Sequence, residues 1–160
     1  MDAATFRDTI VKPALLELDA WSPEAEMLLI GTAAQESNLI YTRQLGGGPA
    51  LGYFQMEGAT HDDCWQNYIA FRAPLKAKVL ATRIATGRPD ATEMVTNHKY
   101  AAAMARVRYM RVAGAIPGAA RELAAYWKLH YNTPLGAGSA DDFIANWNRY
   151  VAPVLYPPIV

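Results

Sequence analysis

Residues 22–37 read SPEAEMLLIGTAAQES, and we expect this segment to form the central helix of the fold. Ser22 is a good N-cap, proline suits the first helical position, and Glu24 and Glu26 face the positive end of the helix dipole. The middle of the segment is apolar on nearly every side, which is typical of a helix enclosed by other helices. The pattern predicts a buried helix over Pro23–Ser37.

Hydrophobic residues recur at helical spacing over most of the remaining chain, with Gly and Pro between the helical segments. We therefore expect a mainly α fold, a bundle of about seven helices in one domain covering residues 1–160. Pro13 is expected to kink or split the first helix, because proline removes one backbone donor. The other predicted helices cover residues 3–20, a segment capped by Thr60, and residues 74–86, 91–113, 118–131 and 140–151.

A glycine-rich segment separates the central helix from the next one. Between Asn38 and Gly58 the helical pattern disappears, and the run Gly46-Gly47-Gly48 allows backbone angles that other residues resist. The segment lacks the Lys-Ser/Thr pair of a P-loop, so it does not indicate a phosphate site. It predicts a loop or small hairpin beside the C-terminal end of the central helix.

Composition excludes several classes of function. Lys plus Arg and Asp plus Glu each total 15, so the net charge is zero, which argues against nucleic acid as a partner. No apolar stretch approaches the roughly 20 residues that span a bilayer, and the N-terminal residues lack the pattern of a signal peptide. Cys64 is the single cysteine, so the usual zinc-ligand spacings are absent. We expect no membrane insertion, no signal peptide, no metal and no cofactor.

Two polar clusters are interpreted as structural. The residues of His61-Asp62-Asp63-Cys64 are consecutive in a predicted helix, so they fan out around its axis and cannot all reach one metal ion. Cys64 is expected to be a small buried apolar residue. We expect Arg106, Arg108 and Arg111 to form a solvated helix face, although such a face can also attract an anionic polymer.

Glu36 is the leading catalytic candidate. It lies at the end of the enclosed helix, where a carboxyl group is costly to ionise unless a partner compensates its charge. Such a position raises the pKa of a carboxyl group, and an acid that is still protonated near neutral pH can protonate a glycosidic oxygen. The alternative is that Glu36 is a partly exposed residue that marks where the helix leaves the core.

Two motifs extend this interpretation: Gln35-Glu36-Ser37-Asn38-Leu39, and Gly52-Tyr53-Phe54-Gln55-Met56-Glu57-Gly58-Ala59-Thr60. Together they resemble the Glu-Ser and Gly-Leu-Met-Gln motifs of the soluble lytic transglycosylase and goose-type lysozyme superfamily. The resemblance implies a lysozyme-like fold with a cleft lined by the glycine-rich segment. It also implies that Glu36 is the catalytic acid, that Ser37 is its motif partner and that Gln55 contacts the sugar.

A looser resemblance lies downstream, where the superfamily has an Ala-Ala-Tyr-Asn-Ala-Gly segment. The Ala-Ala-Tyr part matches Ala124-Ala125-Tyr126, and the Tyr-Asn part matches Tyr131-Asn132. The departures after these matches, such as Trp127, indicate a divergent branch. Tyr126, Tyr131 and Asn132 are therefore all candidate substrate-binding residues, and the sequence does not decide which tyrosine enters the cleft.

A mechanism with two carboxylates needs a second one across the cleft. Asp62 and Asp63 are interpreted as charges in the first turn of a helix, so Glu57 is the candidate. If Glu57 faces the sugar, it can position water for hydrolysis. If it faces solvent, Glu36 acts alone, with the N-acetyl group of the substrate stabilising the sugar cation.

The implied function is cleavage of the β-1,4 bond between N-acetylmuramic acid and N-acetylglucosamine in peptidoglycan, by a lytic transglycosylase or a muramidase. A cell-wall enzyme without signal peptide or disulfide fits a bacteriophage origin. It would be an endolysin released from the host cytoplasm through a holin, or a virion component in contact with other virion proteins. The alternative is a virion structural or sugar-binding protein that keeps the fold without turnover.

Overall fold

The structure, a computed structural model, describes residues 1–160 and confirms a mainly α-helical fold with little strand. The strands β1 (Ala50–Leu51) and β2 (Met56–Glu57) form one antiparallel pair, and Ile69–Phe71 and Ala91–Val95 are short 3-10 helices. None of the helices is both long and apolar enough to span a bilayer. The seven helices are α1 (Ala3–Phe6, the π-helical Arg7–Val11 and Lys12–Glu17), α2 (Pro23–Ser37), α3 (Gly58–Asn67), α4 (Ala73–Ala81), α5 (His98–Met110), α6 (Ala120–Trp127 and the π-helical Lys128–Asn132) and α7 (Ala140–Asn146 and the π-helical Trp147–Val151).

Helix α2 is the central helix, with the bounds predicted from the sequence. The Ser22 hydroxyl accepts a hydrogen bond from the Ala25 backbone N–H at 3.0 Å, and the C-cap residue Asn38, which follows Ser37, has a left-handed φ of 55°. Helices α1, α5, α6 and α7 all pack against it. Because helices surround it, nearly every side chain in its middle is buried, as the apolar pattern predicts.

Gly31 allows α7 to approach α2 closely. A Cβ atom built on Gly31 would lie 2.4 Å from Cζ of Phe143, which is a fully buried residue of α7. The Phe143 ring continues into an aromatic cluster, with ring centroids 5.7 Å from Trp127 and 6.4 Å from Trp147. Because Gly31 has no side chain, the aromatic cluster packs directly against α2. Through this cluster α6 and α7 pack against the central helix.

The chain stays helical through Pro13, so of the predicted kink or split the split does not occur. The α-helical hydrogen-bond pattern changes to π-helical over Arg7–Val11 and resumes at Lys12–Glu17. Pro13 is the second residue of the resumed α-helical segment, directly after the π-helical stretch.

Two other predicted helices are shorter than expected. Helix α4 ends at Ala81, and α5 begins at His98, where Asn97 caps it by accepting a hydrogen bond from the Tyr100 N–H at 3.0 Å. The segment between them wraps around the buried carboxylate of Glu93. That carboxylate accepts hydrogen bonds from the backbone N–H groups of Ile84 and Ala85 and from the side chains of Arg83 and Asn97. The conformation of this segment depends on these hydrogen bonds between residues that are not neighbours in the chain. The spacing of hydrophobic residues does not predict them.

The glycine-rich segment contains the predicted small hairpin. In the hairpin Ala50 pairs with Glu57 and Leu51 pairs with Met56. Gly52 turns the chain with a φ of 74°, and a Cβ there would lie 2.6 Å from the Met94 carbonyl oxygen. Helix α3 follows at once, beginning at Gly58 with Glu57 at the N-cap position, so the predicted capping role of Thr60 is wrong.

Candidate active site

An open cleft of about 650 Å³ lies where α2 ends, between the hairpin and the helices α5 and α6. Its wall is mostly polar, with amide, hydroxyl, carboxyl and guanidinium groups. Its volume is in the range of sites that bind small organic ligands. The lining residues are Gln35, Glu36, Ser37, Asn38, Tyr41, Arg43, Gln44, Leu45, Ala50, Gln55, Glu57, Thr60, Arg108, Tyr131, Asn132 and Ala137.

Glu36 lies in the last turn of α2 on the wall of this cleft, and its side chain is half-buried. The indole N–H of Trp127 donates a hydrogen bond to Glu36 Oε1 at 2.9 Å. Burial raises the pKa of Glu36 from 4.5 to about 7, although the Trp127 hydrogen bond and the charge of Arg108 each lower it. The carboxyl group therefore keeps its proton close to neutral pH, as a general acid requires.

The raised pKa of Glu36 predicts a stability difference between wild type and Glu36→Gln that depends on pH. From pH 4.5 to about 7 the unfolded chain loses this proton while the folded chain retains it, so the wild type loses stability as pH rises. Above pH 7 we expect Glu36→Gln to be more stable by about 1–3 kcal/mol, allowing for the partial exposure of the group. Urea unfolding of both proteins across this range measures the difference, and a constant difference would contradict the raised pKa.

Ser37 and Gln55, the other two residues that the motifs single out, both line the cleft. The Ser37 hydroxyl donates to the Ala33 carbonyl of its own helix at 2.9 Å, so only its lone pairs are available to a ligand. Gln55 has a left-handed φ of 47°, and its Nε2 closes the turn by donating to the Gly52 carbonyl at 2.9 Å. No hydrogen bond within the protein uses its Oε1, which can accept one from a ligand.

The structure places Tyr131 in the cleft and Tyr126 outside it. Tyr131 shares a face of α6 with Trp127, because the two are four residues apart, whereas Tyr126 is rotated by about 100°. Tyr126 instead stacks on Tyr109, with ring centroids 5.7 Å apart. Of the two candidate tyrosines, Tyr131 is therefore the one that the structure places on the cleft wall, and Tyr126 does not line it.

The Tyr131 hydroxyl does not contact Glu36. It donates to the Phe54 carbonyl at 2.7 Å and so connects α6 to the hairpin. Asn132 also lines the cleft, and its Oδ1 accepts a hydrogen bond from Lys128 Nζ at 2.7 Å. Both residues shape the wall, and the amide nitrogen of Asn132 is available to a ligand.

Sequence reasoning missed two residues beside the acid, Trp127 and Arg108. The Arg108 guanidinium lies 4.2 Å from the centre of the Tyr131 ring and donates to the Tyr131 carbonyl. It has no carboxylate partner, and it points into the cleft rather than onto a solvated helix face. Trp127 appeared in the sequence only as a departure from the expected motif, and nothing near it in the chain indicated a contact with Glu36.

Glu57 is the only carboxylate besides Glu36 that lines the cleft. It lies exposed on β2 and forms no ion pair. Because α3 begins at Gly58, Asp62 and Asp63 lie beyond its first turn, so their predicted position is wrong. Asp63 instead accepts from Arg111 at 2.6 Å, and Asp62 lies 2.8 Å from the buried His61 ring.

Cys64 is buried, as predicted, and burial raises the pKa of its thiol. A buried thiol of high pKa is poorly nucleophilic. His61, one turn earlier, is fully buried, and its Nε2 lies 2.6 Å from the Tyr100 hydroxyl. Neither residue reaches the cleft.

No known family, curated protein or solved structure matches this chain. The resemblance to the lytic transglycosylase and goose-type lysozyme superfamily therefore stays a prediction, carried by Glu36 and the residues around it.

Proposed function

We propose that this protein cleaves the β-1,4 bond between N-acetylmuramic acid and N-acetylglucosamine in peptidoglycan, with Glu36 as the catalytic acid. The observation that carries the proposal is a half-buried carboxyl group, with its pKa raised to about 7, on the wall of an open polar cleft. Glu36 has no ion pair to keep it ionised, in contrast to the buried Glu93 carboxylate, which lies 2.9 Å from Arg83 Nε.

The chemistry follows from the protonation state of Glu36. Its proton passes to the glycosidic oxygen while the bond from that oxygen to C1 breaks, and the bonding electron pair stays on the leaving oxygen. The acetamido oxygen of the substrate stabilises the cation at C1. The Glu36 carboxylate then accepts a proton from the group whose oxygen forms the new bond to C1. That group is either water or the C6 hydroxyl of the same N-acetylmuramic acid. Water yields a reducing end, and the C6 hydroxyl yields an anhydro end.

The composition of the cleft wall supports a sugar polymer as the ligand. Side-chain amides suit sugar hydroxyl and acetamido groups, and most amides of this wall form one hydrogen bond within the protein and keep the other end of the amide for a ligand. The wall also carries Tyr41, whose ring offers an apolar face to a sugar. The amide side chains are those of Gln35, Asn38, Gln44, Gln55 and Asn132.

Glu57 is expected to be dispensable for turnover. Its exposed position on β2 provides none of the burial that tunes a catalytic carboxyl group, so we favour a single-acid mechanism. Glu57→Gln should retain turnover within about tenfold of wild type, since general-base catalysis contributes about a hundredfold or more. Rates of muropeptide release from both proteins measure the effect. A loss of a hundredfold or more would contradict the single-acid mechanism and favour hydrolysis by two carboxylates.

The proposed function is tested by incubating the protein with purified peptidoglycan and identifying the soluble products by mass spectrometry. Release of muropeptides with anhydro ends supports a lytic transglycosylase, and release with reducing ends supports a muramidase. Sedimentation of the protein with the insoluble polymer, without any release, would overturn catalysis and favour the sugar-binding alternative.

A further inference from the structure

The two oxygen atoms of Glu36 lie in different surroundings. Oε1 accepts the hydrogen bond from the Trp127 indole at 2.9 Å. Oε2 has no hydrogen-bond partner within the protein, and it is not among the buried polar atoms, so it reaches the solvent of the cleft. The carboxyl group is thus held from the protein side through one oxygen and is open to a ligand through the other.

The chemistry of the indole group determines where the acidic proton resides. An indole N–H can only donate a hydrogen bond, so the oxygen that faces it must accept one. In a neutral carboxylic acid the carbonyl oxygen is the better acceptor, and the hydroxyl oxygen carries the proton. Oε1 is therefore the carbonyl oxygen of protonated Glu36, and Oε2 is its hydroxyl oxygen.

We propose that Trp127 is a positioning residue that holds Glu36 through Oε1, so that Oε2 presents the acidic proton to the substrate. This inference rests on the proposed function, in which Glu36 is the acid. It extends that function by assigning a task to Trp127, a residue that the motif resemblance gives no role.

Packing holds the indole in place. Only 1% of Trp127 is exposed, and its ring lies 5.7 Å from the Phe143 ring, centroid to centroid. On another side the ring lies close to Gly138, where an added Cβ would come within 2.7 Å of it. A ring confined in this way loses little additional freedom when it forms the hydrogen bond, so the direction of the N–H is set before substrate arrives.

The same hydrogen bond stabilises the product of proton transfer. When the proton moves from Oε2 to the glycosidic oxygen, the negative charge left behind is shared by both carboxylate oxygens. A hydrogen bond to a charged oxygen is stronger than one to a neutral oxygen. The hydrogen bond from Trp127 therefore strengthens as the proton transfer proceeds. Interactions that strengthen in this way raise kcat more than they lower KM.

The inference is tested by removing the N–H while keeping an aromatic ring. In Trp127→Phe we expect kcat to fall about five- to tenfold and KM to stay within about twofold. The alkaline limb of the pH–rate profile should move to higher pH, because the Glu36 carboxylate loses a donor that lowers its pKa. Replacing Trp127 by 3-benzothienylalanine, which keeps the bicyclic shape without the N–H, should reproduce both changes and avoids the cavity left by phenylalanine.

Trp147→Phe is the matched control. Trp147 is also fully buried, and its N–H donates to the Pro157 carbonyl at 3.1 Å, so the variant loses the same atoms from the same aromatic cluster. We expect Trp147→Phe to lower stability and to leave the alkaline limb unmoved. If neither Trp127 replacement moves the limb or lowers kcat beyond this control, the positioning role is overturned.

A second readout does not require activity. The pKa of Glu36 can be obtained from the pH dependence of the stability difference between proteins with Glu36 and with Gln at that position, in the wild-type and Trp127→Phe backgrounds. A higher Glu36 pKa in the Trp127→Phe background supports the hydrogen bond, and an equal pKa overturns it. The absence of muropeptide release by wild type would instead overturn the proposed function, so the two failures are distinguishable.

Discussion

Replacing Glu36 by glutamine is expected to lower muropeptide release by about a thousandfold or more while the protein stays folded. Glutamine has nearly the same shape as protonated glutamic acid, and its amide oxygen can still accept the Trp127 hydrogen bond. It has no acidic proton to give to the leaving oxygen, and general-acid catalysis contributes roughly 10²–10⁴-fold. Mass spectrometry of the soluble products over time measures the effect.

Glu122→Gln is the matched control for this experiment. It makes the same chemical change at an exposed position of α6, outside the cleft, and should leave release unchanged. Equal release by wild type and Glu36→Gln would contradict the catalytic assignment. Glu36→Gln should also still bind insoluble peptidoglycan, because the amide groups that line the cleft remain in place.

Replacing Gly31 by alanine is expected to lower the free energy of unfolding by about 3 kcal/mol. The new methyl group would lie 2.4 Å from Cζ of Phe143, and that ring is confined between Trp127 and Trp147. Because the core is close-packed, the overlap must be relieved by an unfavourable Phe143 conformation or by a shift of α7 away from α2. Urea unfolding at a fixed pH measures the loss.

Two further variants show whether the overlap with Phe143 is the cause. Gly58→Ala adds the same methyl group at the start of α3, with its nearest neighbour 3.7 Å away, and should change stability by less than about 1 kcal/mol. In Gly31→Ala combined with Phe143→Leu, the smaller side chain leaves room for the methyl group. The loss in the double variant should be smaller than the sum of the single losses by at least about 1 kcal/mol. Strict additivity would contradict the proposed cause.

The helix signals that proved dependable are local ones. The bounds of α2 follow from the Ser22 cap and the change of pattern after Ser37, because these signals act within a turn of the residues that carry them. The shorter α4 and the late start of α5 were not predictable in this way. Both boundaries depend on Glu93. Its carboxylate accepts hydrogen bonds from backbone N–H groups eight and nine residues earlier in the chain.

In the candidate site, too, local signals were predictable from the sequence, and features that depend on helix packing were not. Glu36 belongs to one motif and Gln55 and Glu57 to the other, and all three line the cleft, as their motifs suggested. The choice between Tyr126 and Tyr131 depended on the direction in which one face of α6 points, which only the packing of that helix against α2 establishes.

The sequence alone indicates the helical class of the fold, the buried central helix and the carboxyl group at the end of that helix. These features depend on periodicity and capping, which are local properties of the chain. Only the tertiary structure shows what surrounds that carboxyl group. Trp127 is 91 residues away from Glu36 in the chain and Arg108 lies on another helix, yet both act on its pKa. Burial and charge interactions depend on distance in space, and the order of residues does not encode that distance directly.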